Sequence, residues 1–146
     1  MEEIEEDKIG EEEDLQRVKE EIEVLHLGFV SWFNGTCEHH ELNRLIGDRM
    51  TEGFFYVMPG ASKLDKQTLL KGLATQHGSN PSFRISITDI VIRHKTSDGA
   101  ILATYTEHQT GAKNSVSDNW RTSTAFFIRS HDGSLLWHLI QETALP

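Results

Sequence analysis

The sequence predicts an α+β domain in which N-terminal helices pack on a strongly curved antiparallel sheet around a small pocket. Two observations carry that reading. Apolar residues return at helical spacing from Leu15 to Trp32, and four long strand-like segments joined by short turns fill the chain from Phe83 onward.

The helical reading rests on Leu15, Val18, Ile22, Leu25, Phe29 and Trp32, which recur at three- and four-residue steps and so share one face. Val24, Leu27, Val30 and Phe33 widen the apolar surface, which predicts a deeply buried C-terminal half. Asn34-Gly35 supplies the stop. A second, shorter helix is expected over Glu38–Arg49, with Leu42, Leu45 and Ile46 inward. A short strand follows at Gly53–Val57, closed by Pro59-Gly60. Asp65 is placed to cap a third helix that carries Leu69, Leu70 and Leu73 and ends near Gly78.

From there the pattern turns to strands: Phe83–His94, Ala100–Gly111, Ser117–Ser130 and Leu135–Leu145. Ser97-Asp98-Gly99 and His131-Asp132-Gly133 are hairpin turns, and Gly111–Ser115 is a looser link. In Ile85–Ile92 the alternation slips one step near Ile90, which predicts a bulge that bends the sheet.

Length and composition set the outer bounds. At 146 residues, 37% hydrophobic and 25% charged, the chain suits one globular domain. The net charge of −9 belongs to one end: residues 1–23 hold twelve of the 23 acidic side chains and three of the 14 basic ones. Residues 1–12, acidic and aperiodic, are therefore expected to form a disordered tail ahead of a single domain over 13–146. The remaining body is close to neutral and lacks the basic footprint of a nucleic-acid binder. No apolar run approaches the roughly 20 residues of a membrane span. The acidic start is unlike a secretory leader, and the single cysteine, Cys37, suits a reducing compartment, so a cytoplasmic location is expected.

Order and motifs together resemble the nuclear transport factor two-like superfamily, nearest its SnoaL-like and ketosteroid-isomerase-related small proteins. The segments that carry the resemblance are Phe29–Gly35, Phe54–Gly60, Thr104-Tyr105-Thr106-Glu107, Trp120–Phe126 and Leu136–Thr143. It implies a cone-shaped fold around a pocket and frequently a homodimer through the outer sheet face. It does not imply one reaction, because isomerases, dehydratases, cyclases and purely binding modules share the fold. The isomerases' aspartate base and tyrosine donor do not map position by position onto this chain, nor does the dehydratases' His–Asp–Tyr set.

Candidate site residues follow from strand parity. Tyr105 and Glu107 share a face. If Gly111 pairs with Ser117, Glu107 lies opposite Arg121 and Tyr105 opposite Ser123. A one-residue shift instead sets Glu107 against Trp120 and turns Arg121 away. The bland alternative for Glu107 and Arg121 is a cross-strand ion pair on the outer surface or at a dimer interface. His138 and Glu142 share parity on the last strand, where they would flank one substrate. Glu107 and His138 are the catalytic candidates. Trp32, Tyr56, Tyr105, Trp120, Arg121, Trp137 and Glu142 are the ligand-binding candidates. The eight histidines show no zinc-ligand spacing, so no metal is expected, and no phosphate-binding or nucleophile-elbow motif calls for a cofactor. The function expected is binding of a small hydrophobic molecule with proton-transfer chemistry on it. The alternative is a noncatalytic dimerising or binding module.

Overall fold

The computed structural model describes residues 2–113 and 115–146, with side chains from Lys8 onward. Met1 of the acidic segment and Asn114 of the looser link lie outside the described residues.

Helix α1 spans Glu2–Asn34. Val18, Ile22, Leu25 and Trp32 are fully buried along its inner stripe, as the spacing predicts. The helix ends where expected: Gly35 takes φ 76°, and its N–H and that of Thr36 both donate to the Ser31 carbonyl. Two features differ from the sequence reading. The backbone is helical through the acidic stretch, where glutamates are good helix formers and negative charge favours a helix N-terminus. Val24 and Leu27 are exposed and do not widen the buried face, whereas Val30 and Phe33 are half-buried and Phe33 packs against the core.

The second helix is broken into 3₁₀ turns at His39–Glu41 and Gly47–Arg49 around a single α-turn, α2, Leu42–Leu45. Strand β1 (Met50–Val57) turns at Pro59-Gly60 into the short β2 (Lys63–Asp65). Helix α3 (Lys66–Ala74) follows, capped by Asp65, whose carboxylate accepts from the Thr68 N–H at 2.8 Å. The meander is β3 (Arg84–Lys95), β4 (Ile101–Thr110), β5 (Asp118–Arg129) and β6 (Leu135–Ala144), each within a residue or so of its expected bounds.

The six strands form one sheet in the order β2-β1-β6-β5-β4-β3. It is mixed and not purely antiparallel, because β1 pairs parallel with β6. No hairpin joins those two strands, so nothing in the connectivity forces them to oppose. The sheet stays open, with the helices packed on its concave side. The bulge expected near Ile90 is present: Thr88 pairs with Thr106 and Val91 with Thr104, and Asp89 absorbs the extra residue at φ 58°. Another bulge sits in β6, where Phe126 faces Leu139 and Phe127 faces Trp137, leaving His138 unpaired. No described helix is long and apolar enough to cross a membrane.

The loose link between β4 and β5 packs against the segment that precedes β3. Gly111, at φ 70°, lies so close to Ser82 that an added Cβ would sit 2.4 Å from the Ser82 carbonyl oxygen. The Asn80 side chain donates to the Gly111 carbonyl at 2.8 Å. Gly133 also has positive φ, but its Cβ would meet nothing within 4 Å. We therefore expect Gly133→Ala to cost about 1 kcal/mol from its left-handed backbone alone. Gly111→Ala should cost clearly more. Urea unfolding measures both, and equal losses would show that the approach to Ser82 carries no weight.

Candidate functional site

On α1, His26 falls four residues after Ile22, on the same buried stripe. Its Nδ1–H donates to the Ile22 carbonyl at 2.7 Å, the helix's own i−4 acceptor, which aims Nε2 at the sheet. Across from it, strand alternation turns Tyr105, Glu107 and Gln109 of β4 inward, all buried. The β4–β5 register sets Glu107 opposite Arg121 and Tyr105 opposite Ser123, the first of the two pairings considered from the sequence. Strand β6 adds Ile140 and Glu142, and β1 adds Phe54 and Tyr56. These groups surround a cavity of about 70 Å³ with an apolar wall of Phe29, Phe54, Leu69, Ile85 and Ile140. His26, Tyr56, Glu107, Gln109 and Glu142 form its polar wall.

The polar groups are divided between two carboxylates. Glu107 takes His26 Nε2 at 2.9 Å on one oxygen and the Gln109 amide N–H at 2.5 Å on the other. The Tyr105 hydroxyl lies 3.3 Å from the same His26 nitrogen. Glu142 accepts from the Tyr56 hydroxyl, from Arg121 Nη1 at 3.3 Å and from the Ser123 hydroxyl at 3.4 Å. Arg121, although opposite Glu107 in register, spends its other donors on the Gln109 carbonyl oxygen at 3.1 Å and the Asn119 carbonyl oxygen at 3.0 Å.

This division separates the two carboxyls in acidity. Burial opposes ionisation of Glu107, but the His26 charge and hydrogen bond beside it prevail and hold it below the usual carboxylate range. Burial likewise opposes a charge on His26, and the Glu107 carboxylate outweighs it, so the imidazole pKa rises. Glu142 goes the other way. Burial, and then the Glu107 charge, push it up to about 7 against the pull of Tyr56, Arg121 and His26. Tyr56 and Tyr105 are raised by burial and by the nearby carboxylates, and remain phenols.

Other sequence candidates fall elsewhere. His138 sits on the opposite side of the sheet, its Nδ1 2.7 Å from the Thr51 hydroxyl, because the β6 bulge reverses the parity that linked it to Glu142. Trp120 is on the outer face, stacked on His108 with ring centroids 3.9 Å apart. Trp32 and Trp137 are fully buried core, donating to the Leu73 carbonyl at 2.7 Å and the Glu21 carboxylate at 3.2 Å, and neither lines the cavity. Tyr105 lies behind the polar wall, reaching it through His26. His26 and Gln109 were missing from the sequence candidates. A polar residue on the inner stripe of α1, and a third inward position after Tyr105 and Glu107, were the signals available.

No family model matches the chain, and neither does any curated protein. Solved structures do. An NTF2-like protein of unknown function from Pseudomonas aeruginosa is 28% identical, with a TM-score of 0.80 over 89% of this chain and 99% of that one. A candidate dehydratase of the NTF2-like family from Streptomyces avermitilis is 15% identical, with a TM-score of 0.65 over 92% and 99% of the two chains. ActVI-ORFA from Streptomyces coelicolor is also 15% identical, with a TM-score of 0.58 over 87% and 96%. The expected resemblance holds: this is the NTF2-like α+β fold.

The acidities predict how stability depends on pH. The unfolded chain releases the Glu142 proton near 4.5 and the folded chain near 7, so stability falls as pH rises between those values. The His26 contribution is full below 6.5 and is lost as pH climbs through its higher folded pKa. Glu107 contributes above 4.5 and loses that contribution as pH falls through its lowered value. Hence Glu142→Gln should flatten the stability loss between pH 5 and 7, read by urea unfolding. Glu107→Ala should cost about 3 kcal/mol at neutral pH, because it leaves His26 buried without a counter-ion. A wild-type curve that rises over that window would refute the Glu142 assignment.

Proposed function

Starting from the NTF2-like fold, we propose that the chain binds a small, mostly apolar molecule carrying a carbonyl or hydroxyl group and moves a proton on it. One observation supports this above the rest: two carboxylates on one cavity wall are given different partners, and only Glu142 is left poised near neutral pH. A general acid–base needs that acidity inside a site shielded from water. The carboxylate of Glu142 takes a proton from carbon beside the ligand's carbonyl. The C–H electron pair becomes a carbon–carbon double bond as the carbonyl π pair moves onto oxygen, and the Tyr56 phenol, which donates to Glu142 in the structure, turns its proton to that oxygen. The His26–Glu107 pair supplies a fixed charge distribution behind them. Isomerisations, dehydrations of β-hydroxy carbonyl compounds and aldol cyclisations begin with such a step. The candidate dehydratase of like fold agrees with this class but shares the fold alone.

A specific observation favours a second, noncatalytic reading. Among the described residues, the buried side-chain polar atoms without a partner are Arg49 Nε and Asn80 Oδ1, neither of them on the cavity wall. A polar network that satisfies itself suits a binding or dimerising module equally well. For the partner, we propose a second copy of the chain on the outer sheet face, where Trp120 and Val91 are exposed. A cytoplasmic setting fits the single free cysteine.

Two measurements test these readings. In D₂O, cyclohexanone should exchange its α-protons faster with the protein than in buffer, followed by proton NMR, and Glu142→Gln should return the rate to background. Exchange at the buffer rate with wild-type protein would leave the noncatalytic reading. In sedimentation, the wild type should run as a dimer and Trp120→Glu as a monomer; a monomeric wild type removes the proposed interface.

A further inference from the structure

Gln109 touches both halves of the polar wall, and its two amide ends meet partners of opposite sign. Its N–H group donates to Glu107, and its carbonyl oxygen accepts from Arg121 Nη2 and, at 3.3 Å, from the Asn119 amide. The amide therefore has one chemically sensible orientation: oxygen toward the guanidinium, nitrogen toward the carboxylate. Its side chain is buried between β4 and β5, beside the Glu107–Arg121 register pair.

The consequence concerns Arg121. A guanidinium facing a buried carboxylate normally closes a bidentate pair with two short bonds. Here it does not. Asn119 holds Nε at 3.0 Å, Gln109 holds Nη2 at 3.1 Å, and Nη1 alone reaches Glu142, at 3.3 Å. We propose that Gln109, braced by Asn119, is a positioning residue that restrains Arg121 to one long contact with Glu142 while pinning Glu107 against His26. This rests on the reading of Glu142 as the proton carrier and adds to it: burial and the Glu107 charge raise Glu142, and the arginine that would oppose them is tethered to a neutral amide. The charged and titratable groups around Glu142 are Glu107, His26, Arg121, Tyr56 and Tyr105. Gln109 governs the first three by hydrogen bonds, directly or through Glu107.

The position demands an amide. A carboxylate there would bind Arg121 and repel Glu107, and an apolar side chain of the same length would release both. Gln109→Met makes that release with little change of volume. The freed guanidinium should swing toward Glu142, and an opposite charge closing on a carboxylate lowers its pKa by about one unit or more.

The test is the titration of the Glu142 side-chain carboxyl by carbon-13 NMR, its signal assigned by loss in Glu142→Gln. In Gln109→Met the midpoint should drop by about one pH unit or more. In Gln109→Met/Arg121→Met the Gln109 substitution should no longer lower the midpoint relative to Arg121→Met alone, since there is no guanidinium to release. Asn119→Ala, at a half-buried position, should give a smaller drop of the same sign and stands in if Gln109→Met does not fold. A midpoint unmoved in folded Gln109→Met, or in Asn119→Ala where Gln109→Met does not fold, overturns the proposal. So does an equal drop without Arg121. The readout needs no turnover, so absent proton exchange would defeat the catalytic reading while leaving the role of Gln109 to stand or fall on the titration.

Discussion

The arrangement of this domain depends on one buried contact, the ion pair between His26 of α1 and Glu107 of β4. Each group alone would cost several kcal/mol to bury in charged form. Together they tie the helix to the middle of the sheet at a single angle and depth. Hydrophobic packing of the α1 stripe is non-directional and would tolerate small rotations or slides. A 2.9 Å bond between an imidazole anchored on its own helix and a carboxylate anchored by Gln109 does not. Rings pack against His26 edge-on from Phe29, Tyr105 and Trp137, so the pair sits in an aromatic sleeve with little access for water to screen it.

That contact has an electrostatic consequence for the rest of the cavity. With Glu107 already compensated by His26, Arg121 is the cation available to Glu142, and its donors are shared among three acceptors. The second carboxyl, its ionisation already opposed by burial, thus feels the negative charge of the first more than a full ion pair of its own. Two like groups at one site, only one of them well paired, must separate in acidity. The chemistry proposed for this cavity is an outcome of how hydrogen bonds are divided, more than of which residue types are present.

Much of the frame was legible in the sequence because periodicity reports it directly. The α1 stripe, the Asp65 cap, the four meander strands and the β3 bulge all leave local signals. The Glu107–Arg121 register was legible too, but only as one of two choices, since the loose link after Gly111 carries no tight-turn signature that sets it. His26 was harder to see. As one of eight histidines without metal-ligand spacing, it stood out only by lying on the inner stripe of a helix, and its partner is 81 residues away in sequence. Trp120 shows the opposite error: the register that turns Arg121 inward already turns its neighbour out, so aromatic character alone misplaced it. The parallel pairing of β1 with β6 left no local trace, because no turn encodes it.

The last strand shows why parity misassigned His138 while still including Glu142. In a regular strand, residues 138, 140 and 142 face one way and 137, 139 and 141 the other. Trp137 has no exposed surface and packs on Phe127, so it must point into the core. Ile140 and Glu142 are also buried on that side. An unbroken alternation cannot satisfy both demands, since it would bury Trp137 and turn Glu142 to solvent, or the reverse. One extra residue between them reconciles the two, and that residue is His138, displaced to the outer face against Thr51 and Phe126. The bulge costs one ladder pairing and a possible catalytic histidine. In exchange the strand delivers a core tryptophan and a cavity carboxylate from the same edge, with a bend that carries the C-terminal end of β6 toward Tyr56. The position of Glu142 follows from the volume of Trp137 as directly as from its own chemistry.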